Sequence, residues 1–109
     1  MSAKQDCYRL IQEIVVKRDV FCQWPSCSQR SSSGHHLFKR DRLATAFLPE
    51  AVIGLCAQHH VPQIVSSEEF RDLMVSRMGE NYYYLQRLSN TVVKHFDFGQ
   101  CRRHLRTLL

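Results

Sequence analysis

Two clusters of residue types that bind metal ions stand out in this chain, one on each side of a loop-like stretch. Cys22 and Cys27 lie at the two ends of a short segment with a proline, and Cys56 and His59 form a C-x-x-H pair. Structural zinc sites use four thiolate or imidazole ligands in a tetrahedron. The spacing therefore predicts a structural zinc site formed by Cys22, Cys27, Cys56 and His59.

Three other histidines have no role in such a zinc site. His35 and His36 form a doublet between the two clusters, and His60 follows the last expected ligand. An imidazole with an ordinary pKa of about 6.5 accepts a proton at neutral pH, and its neutral form also binds divalent ions. These three side chains are therefore the candidates for catalysis.

Size and charge narrow the class of protein. The chain has 109 residues, five cysteines and a formal net charge of +5. This length predicts a single domain over residues 1–109, in which a bound zinc ion would add stability to a modest core. The basic balance favours a polyanionic partner such as nucleic acid. A secretory signal and a membrane-length apolar run are both lacking in the sequence, so we expect a cytoplasmic protein without a membrane partner, whose cysteines are free thiols.

Hydrophobic periodicity predicts helices at both ends of the chain and two short strands between them. Cys7 falls within the apolar set of the first helix and is expected to be buried. Ser66 and Glu69 have the spacing of a capping box, and Gly79 is expected to end the helix that follows. The expected elements are helix 3–17, strands 35–38 and 51–55, a helix from about Cys56 with Pro62 in its first turn, and helices 68–78, 80–94 and 100–109.

A family resemblance is carried by three segments in a fixed order: the cysteine pair, Gly34-His35-His36-Leu37, and Leu55-Cys56-Ala57-Gln58-His59-His60. Together they resemble the HNH endonucleases of the ββα-metal class, over about residues 18–65. The resemblance implies a small α+β protein with a zinc-stapled ββα-metal core, flanked by N- and C-terminal helices over 3–17 and 66–109.

The chain departs from the family pattern at two positions. His59 stands where the family usually has a second cysteine, which changes the zinc site from four sulfurs to three sulfurs and one nitrogen. Ala51 stands where the family has its middle asparagine, a residue that fastens the loop between the strands and helps to position the doublet. The second departure bears on catalytic efficiency more than on the fold.

The resemblance also implies a chemistry. His36 would be the general base, and His35 and His60 would hold a catalytic divalent cation, giving products with a 5′-phosphate and a 3′-hydroxyl. Two imidazole ligands suit Mn²⁺, Ni²⁺ or Co²⁺ at least as well as Mg²⁺. Asp41 is the nearest candidate for an added carboxylate. The phosphates of double-stranded DNA, bound with weak sequence preference, would be neutralised by Lys39, Arg40 and Arg42.

Other interpretations remain open at this point. The module could bind DNA without cutting it, or it could be a zinc-stabilised domain whose partner is a protein. Cys101 and His104 repeat a C-x-x-H spacing that has no matching second pair, and an exposed apolar stripe over 82–93 would predict a homodimer. By analogy with small stand-alone members of the family, we expect a bacterial or phage-encoded protein.

Overall fold

The computed structural model describes residues 2–109, which form six helices and a two-stranded antiparallel sheet. The elements in chain order are α1 Ala3–Arg18, β1 Ser33–His36, α2 Leu43–Ala46, β2 Val52–Leu55, α3 Pro62–Val65, α4 Glu68–Met78, α5 Glu80–Ser89 and α6 Phe98–Thr107. A 3₁₀ turn, Pro49–Ala51, leads into β2. The small α+β architecture predicted from the sequence is confirmed.

Helix α1 forms the centre of the larger core cluster. It begins with a capping box in which Ser2 Oγ accepts from the Gln5 amide and Gln5 Oε1 accepts from the Ser2 amide, both at 3.1 Å. Its apolar face packs against the hairpin and α6 and comprises Cys7, Leu10, Ile11, Ile14 and Val15. Cys7 is fully buried, as predicted.

His35 and His36 lie on opposite faces of the two-stranded sheet. His35 lies opposite Ile53 and His36 lies opposite Val52. Residues that face each other across a ladder share one face of the sheet, and neighbours along a strand alternate between faces. Ile53 belongs to the core cluster around Cys22 and Phe70, and Val52 belongs to the cluster built on α1. The doublet therefore stands between the two core clusters.

Gly34 allows α1 to approach the hairpin closely. A Cβ atom at this position would lie 2.9 Å from Val52 Cγ1 and 3.3 Å from Val15 Cγ1. The Gln12 carboxamide takes both main-chain groups of Gly34: Nε2 donates to its carbonyl at 3.0 Å, and Oε1 accepts from its amide at 2.6 Å. Gln12 thus occupies the edge of β1 that has no partner strand.

The end of α1 is tied to the segment between the strands. Arg18 donates to the carbonyl oxygens of Pro49 at 2.7 Å and Val52 at 2.6 Å. Asp19 accepts from the Gly54 amide at 2.9 Å. Burial opposes ionisation of Asp19, but its bonds to Arg18 and Gly54 outweigh burial and lower its pKa. Arg18, one of the basic residues of the sequence, therefore has a structural role.

The predicted starts of the first strand and of the helix after β2 are wrong. β1 spans Ser33–His36 instead of 35–38, and it ends early because Leu37 and Phe38 pack in the cluster around Phe70. The helix expected from about Cys56 begins only at Pro62 and has four residues. The residue before a proline disfavours helical backbone, and Val61 is extended at φ −127° and ψ 150°.

The predicted helix over 68–78 is confirmed, and Gly79 ends it. Its cap is Ser67 instead of Ser66: Ser67 Oγ accepts from the Phe70 amide at 3.1 Å. The one-residue difference arises because Ser66 still belongs to the turn that closes α3, where its hydroxyl donates to the Pro62 carbonyl.

The C-terminal helices also differ from the prediction at their ends. α5 stops at Ser89 instead of residue 94, because the side chains of Ser89 and Asn90 both donate to the Gln86 carbonyl and compete with the helical bonds. α6 begins at Phe98 instead of residue 100. Its N-cap is Asp97, whose carboxylate accepts from the Gln100 amide at 2.9 Å.

Candidate metal centre and histidine groove

The four predicted zinc ligands converge, with their ligand atoms all within 4.8 Å of one another. Cys27 Sγ lies 3.8 Å from Cys56 Sγ, and His59 Nδ1 lies 3.5 Å from Cys22 Sγ and 3.3 Å from Cys56 Sγ. Zinc bond lengths of about 2.3 Å to sulfur and about 2.0 Å to nitrogen give tetrahedron edges of about 3.8 Å and about 3.5 Å. The cluster fits a zinc ion, and the prediction of a metal-compatible Cys₃His site is confirmed.

A short knuckle holds the first two ligands. The Cys22 amide donates to the Gln29 carbonyl at 2.8 Å, and the Cys27 amide donates to the Trp24 carbonyl at 3.1 Å. An antiparallel bridge between Phe21 and Arg30 joins the two arms of the knuckle. Main-chain bonds thus turn both thiols toward one point.

The second pair of ligands follows directly from β2. The amides of His59 and His60 both donate to the Cys56 carbonyl, at 3.2 and 2.9 Å, which makes a tight turn. The Trp24 ring stacks on the His59 imidazole with centroids 5.3 Å apart and on Phe70 at 6.1 Å. His59 is therefore fixed by its main chain and by a ring from the opposite knuckle.

The surroundings of Cys56 favour the thiolate form of its side chain. Burial opposes a thiolate there, but hydrogen bonds from the His59 amide, the Cys22 side chain, the His59 side chain and the Gln58 amide lower its pKa to about 7. The thiolate is the form that binds metal ions.

The three remaining candidate histidines line one open groove of about 780 Å³. All four residues of β1 line it, so the groove receives side chains from both faces of the strand. Its other walls come from α1, from the segment after β1 and from the end of α3; they include Tyr8, Arg9, Gln12, Lys39, Arg40, Val65 and Ser66. The structure thus brings His35, His36 and His60 together.

His36 is oriented by a main-chain contact. Its Nε2 lies 3.0 Å from the Ala46 carbonyl oxygen. A carbonyl oxygen can only accept, so Nε2 carries the proton and Nδ1 keeps a free lone pair. Burial is the main reason why the pKa of His36 is lowered, and the charges of Arg40 and His60 add to that effect against the bond to Ala46. His36 is therefore a neutral base at neutral pH.

His35 and His60 face each other edge to face, with ring centroids 5.2 Å apart. Burial, then the charges of His60 and His36, lowers the pKa of His35 to about 4. His60 Nδ1 lies 2.6 Å from Ser33 Oγ. His60 lies in the turn before α3 and not on a helix as expected. When Nδ1 donates to Ser33, Nε2 of His60 keeps the lone pair that a metal ion needs.

Two of the three predicted DNA-binding residues line the groove, and the third does not. Lys39 and Arg40 are lining residues, whereas Arg42 is turned toward α5 and donates to Asn90 Oδ1 at 3.0 Å. Within residues 2–109 no aspartate or glutamate lines the groove. Asp41 is exposed and lies outside it. The groove is basic and its candidate metal ligands are nitrogen atoms.

Tyr8 and Arg9 of α1 are groove residues that sequence reasoning missed. The Tyr8 hydroxyl donates to the Arg40 carbonyl at 2.7 Å, and the Arg40 guanidinium lies over the Tyr8 ring at 4.5 Å. Tyr8 thereby holds Arg40 beside the groove. The apolar periodicity of α1 places Tyr8 on the packed face, but nothing in the sequence connects that face with the distant doublet.

The other sequence candidates do not form a metal site in the described part of the chain. Cys101 packs into the cluster on α1, where burial and the neighbouring Cys7 thiol raise its pKa to about 12, and His104 is exposed. In the tyrosine run, Tyr82 is buried against Phe38, while Tyr83 and Tyr84 are exposed. Residues 82–93 therefore expose Tyr83, Tyr84 and Val92 but bury Tyr82 and Leu85, and the homodimer stays a prediction.

Acid is expected to destabilise the protein through His35. Its pKa falls from about 6.5 in the unfolded chain to about 4 in the folded one. The folded state therefore binds fewer protons, and the free energy of unfolding decreases as pH falls from about 6.5 toward about 4. Solvent screening at a half-buried group limits the loss to about 1–2 kcal/mol.

The variant His35→Gln isolates this contribution, because acid release of zinc acts on both proteins equally. We expect the wild type to lose stability relative to His35→Gln across that pH interval in urea titrations. Parallel stability curves would contradict the burial of a neutral His35.

Comparison of the chain with models of known families, with curated proteins and with solved structures gives no match. Residues 2–109 contain no helix that is long and apolar enough to cross a membrane.

Proposed function

We propose that the protein is a metal-dependent DNA endonuclease of the HNH type, which hydrolyses phosphodiester bonds by nicking or cutting. One observation carries the proposal: His35, His36 and His60 line a single open basic groove beside a Cys₃His metal cluster. The β1–β2 hairpin followed by α3 has the order of a ββα-metal core, although α3 is short. Assignment to that class is part of the proposal.

His36 is the proposed general base. Its Nδ1 lone pair takes a proton from water, and the oxygen of that water attacks phosphorus while the bond to the 3′ oxygen breaks and the departing oxygen takes a proton from solvent. The Nε2–H group keeps its hydrogen bond to the Ala46 carbonyl, which stabilises the imidazolium that forms. The products are a 5′-phosphate and a 3′-hydroxyl. General-base catalysis of this kind contributes about 10²- to 10⁴-fold to the rate.

His35 and His60 are the proposed ligands of a catalytic divalent ion. Both imidazoles line the groove, and Ser33 sets the tautomer of His60. Such an ion, when bound, supplies charge stabilisation to the phosphate and the leaving oxygen. Neutral nitrogen ligands without a carboxylate suit Mn²⁺, Ni²⁺ and Co²⁺ at least as well as Mg²⁺.

Duplex DNA is the proposed substrate. Lys39 and Arg40, which make no ion pair in the described structure, supply positive charge along the groove that a polyanion neutralises, while Arg9 is paired with Glu13. Side chains that contact phosphates fix position without reading bases. We therefore expect weak sequence preference.

Ala51 stands where the family has an asparagine that fastens the loop between the strands. Other contacts hold this loop in the present chain. The Leu37 amide donates to the Ala51 carbonyl at 2.9 Å, and Arg18 holds the Pro49 carbonyl from α1. The Ala46 carbonyl reaches His36 from the same interstrand segment. These contacts support a positioned doublet despite Ala51.

A supercoiled-plasmid nicking assay with Mn²⁺, Ni²⁺, Co²⁺ and Mg²⁺ tests the proposal. We expect metal-dependent relaxation of the plasmid, nicks that DNA ligase reseals because they carry 5′-phosphate and 3′-hydroxyl ends, and no relaxation without added metal. Intact plasmid under all four metals, at full zinc occupancy, would overturn the nuclease.

The lack of a carboxylate in the groove favours a second candidate, a zinc-stabilised DNA-binding module without catalysis. Such a module binds duplex DNA with a steep salt dependence and never relaxes the plasmid. A zinc-stabilised protein-interaction domain shows neither behaviour.

The Ser33→Ala variant is expected to weaken the groove's affinity for Mn²⁺ by about 10- to 100-fold, because His60 loses the partner that fixes its ring and tautomer. Titrations of the nicking rate against Mn²⁺ measure the change. Ser66→Ala is the matched control, since Ser66 also lines the groove but its hydroxyl bonds to the Pro62 carbonyl. Equal Mn²⁺ dependence in both variants would show that Ser33 does not position His60.

A further inference from the structure

Arginine side chains link the groove across α1 to α6. Arg9 lines the groove; its Nη1 pairs with Glu13 Oε1 at 2.7 Å, and its Nη2 lies 3.7 Å from Asp6 Oδ1. The other oxygen of Asp6 accepts from Arg102 Nη1 of α6 at 3.1 Å. These contacts join the wall of the groove directly to α6.

The carboxylate at this junction is outnumbered by arginines. The pKa of Asp6 is lowered by its bond to Arg102, against a smaller effect of burial, and by the charges of Arg9, Arg102 and Arg106. α6 itself contains Arg102, Arg103 and Arg106 and no acidic residue. Within residues 2–109, Arg103 and Arg106 make no ion pair, and both are exposed.

Four of the ten acidic residues lie on α4 and α5, whereas the one acidic residue that adjoins α6 in sequence is its N-cap, Asp97. Glu68 and Glu69 open α4, Asp72 follows in the same helix, and Glu80 opens α5. The exposed arginines of α6 that make no ion pair within residues 2–109 therefore attract a polyanion in the groove more strongly than the acidic start of α4 does.

We propose that Arg103 and Arg106 of α6 form a second phosphate-binding surface that holds duplex DNA beyond the groove. The proposal rests on the proposed function, since it assigns the backbone of the same substrate to a surface outside the cleavage site. The longest dimension of the protein is 38 Å, about eleven base pairs at about 3.4 Å each. One duplex is long enough to contact both the groove and α6.

Salt titration of duplex binding tests the proposal, with Arg106→Ala compared with Arg87→Ala. Both arginines are exposed, lie in the last turn of their helix and lack an ion pair in the described structure, so the two changes remove the same charge from equivalent positions. The His36→Ala background keeps a labelled 20-base-pair duplex intact.

We expect Arg106→Ala to weaken binding about five-fold and to reduce the slope of log K against log salt by about 0.9, the value for one phosphate contact. Arg87→Ala leaves both quantities unchanged. Arg106→Lys keeps the slope, because a phosphate contact needs the charge. Arg103→Ala, at another exposed position of α6, repeats the effect if Arg106→Ala fails to fold.

The outcomes separate this proposal from the proposed function. Plasmid nicking by the wild type together with equal salt slopes in the α6 and Arg87 variants would overturn the α6 surface alone. A reduced slope in the α6 variants without any nicking would support the surface and overturn the nuclease. Absence of duplex binding at all salt concentrations would overturn both.

Discussion

Replacing His36 by alanine is expected to lower the nicking rate by about 10²- to 10⁴-fold, the usual contribution of a general base. Zinc content and melting temperature should change little. His36 lies at the end of β1, half-buried in the groove, and its imidazole makes one hydrogen bond, to the Ala46 carbonyl. Among the described groove residues, His36 alone has an imidazole that is oriented by a main-chain carbonyl and is not a proposed metal ligand. The variant removes the free lone pair on that imidazole.

His95→Asn is the matched control for that loss. His95 is exposed and has a φ of 57°, a backbone conformation that asparagine tolerates better than alanine. We expect His95→Asn to nick at the wild-type rate. In the wild type, the rate should stay flat through neutral pH and fall only in acid, because burial lowers the pKa of His36 and keeps the imidazole neutral to a lower pH than a free histidine. A full rate in His36→Ala would assign the base to another residue.

The sequence predicts the metal-compatible cluster well because the information is local. Cys22 and Cys27 close one knuckle and Cys56 and His59 close one turn, so each pair is positioned by main-chain bonds within a few residues. Residue type and spacing are then enough to indicate the site. Only the meeting of the two pairs depends on the tertiary fold.

The wall of the groove could not be predicted in the same way. Tyr8 and Arg9 reach the doublet because Gly34 lets α1 pack closely on β1 and Gln12 bonds to its edge. Arg42 is close to Arg40 in sequence, yet a turn closed by the bond from the Arg42 amide to the Lys39 carbonyl lies just before α2 and directs Arg42 toward Asn90. Contacts of this kind depend on packing between distant segments.

Helix ends were mispredicted where side chains compete with the main chain. Hydrophobic periodicity continues through Val92 and Val93, and it predicts a helix to residue 94. The bonds from Ser89 and Asn90 to the Gln86 carbonyl end α5 earlier. Periodicity describes which face is apolar, whereas the ends depend on individual hydrogen bonds.

The zinc site is expected to have the largest effect on stability. Cys56→Ser should lose the bound zinc and lower the melting temperature by at least about 15 °C, since structural zinc contributes many kcal/mol to folding and about 1 kcal/mol shifts a domain of this size by about 4–8 °C. Cys22 and Cys56 are buried within the core cluster that contains Leu55, Phe70 and Met74. Without the metal, the knuckle with Cys22 and Cys27 and the turn with Cys56 and His59 lose the metal–ligand bonds that join them.

Cys101→Ser distinguishes loss of a ligand from loss of a thiol. Cys101 is half-buried and packs at the contact between α1 and α6, away from the Cys₃His cluster. We expect one zinc per chain in the wild type and in Cys101→Ser and none in Cys56→Ser, measured by metal analysis beside thermal melts. Nicking should disappear with the zinc, because the His60 amide bonds to the Cys56 carbonyl and the turn that places His60 in the groove depends on the site. A zinc-free Cys56→Ser protein with an unchanged melting temperature would show that the core cluster alone holds the two segments together.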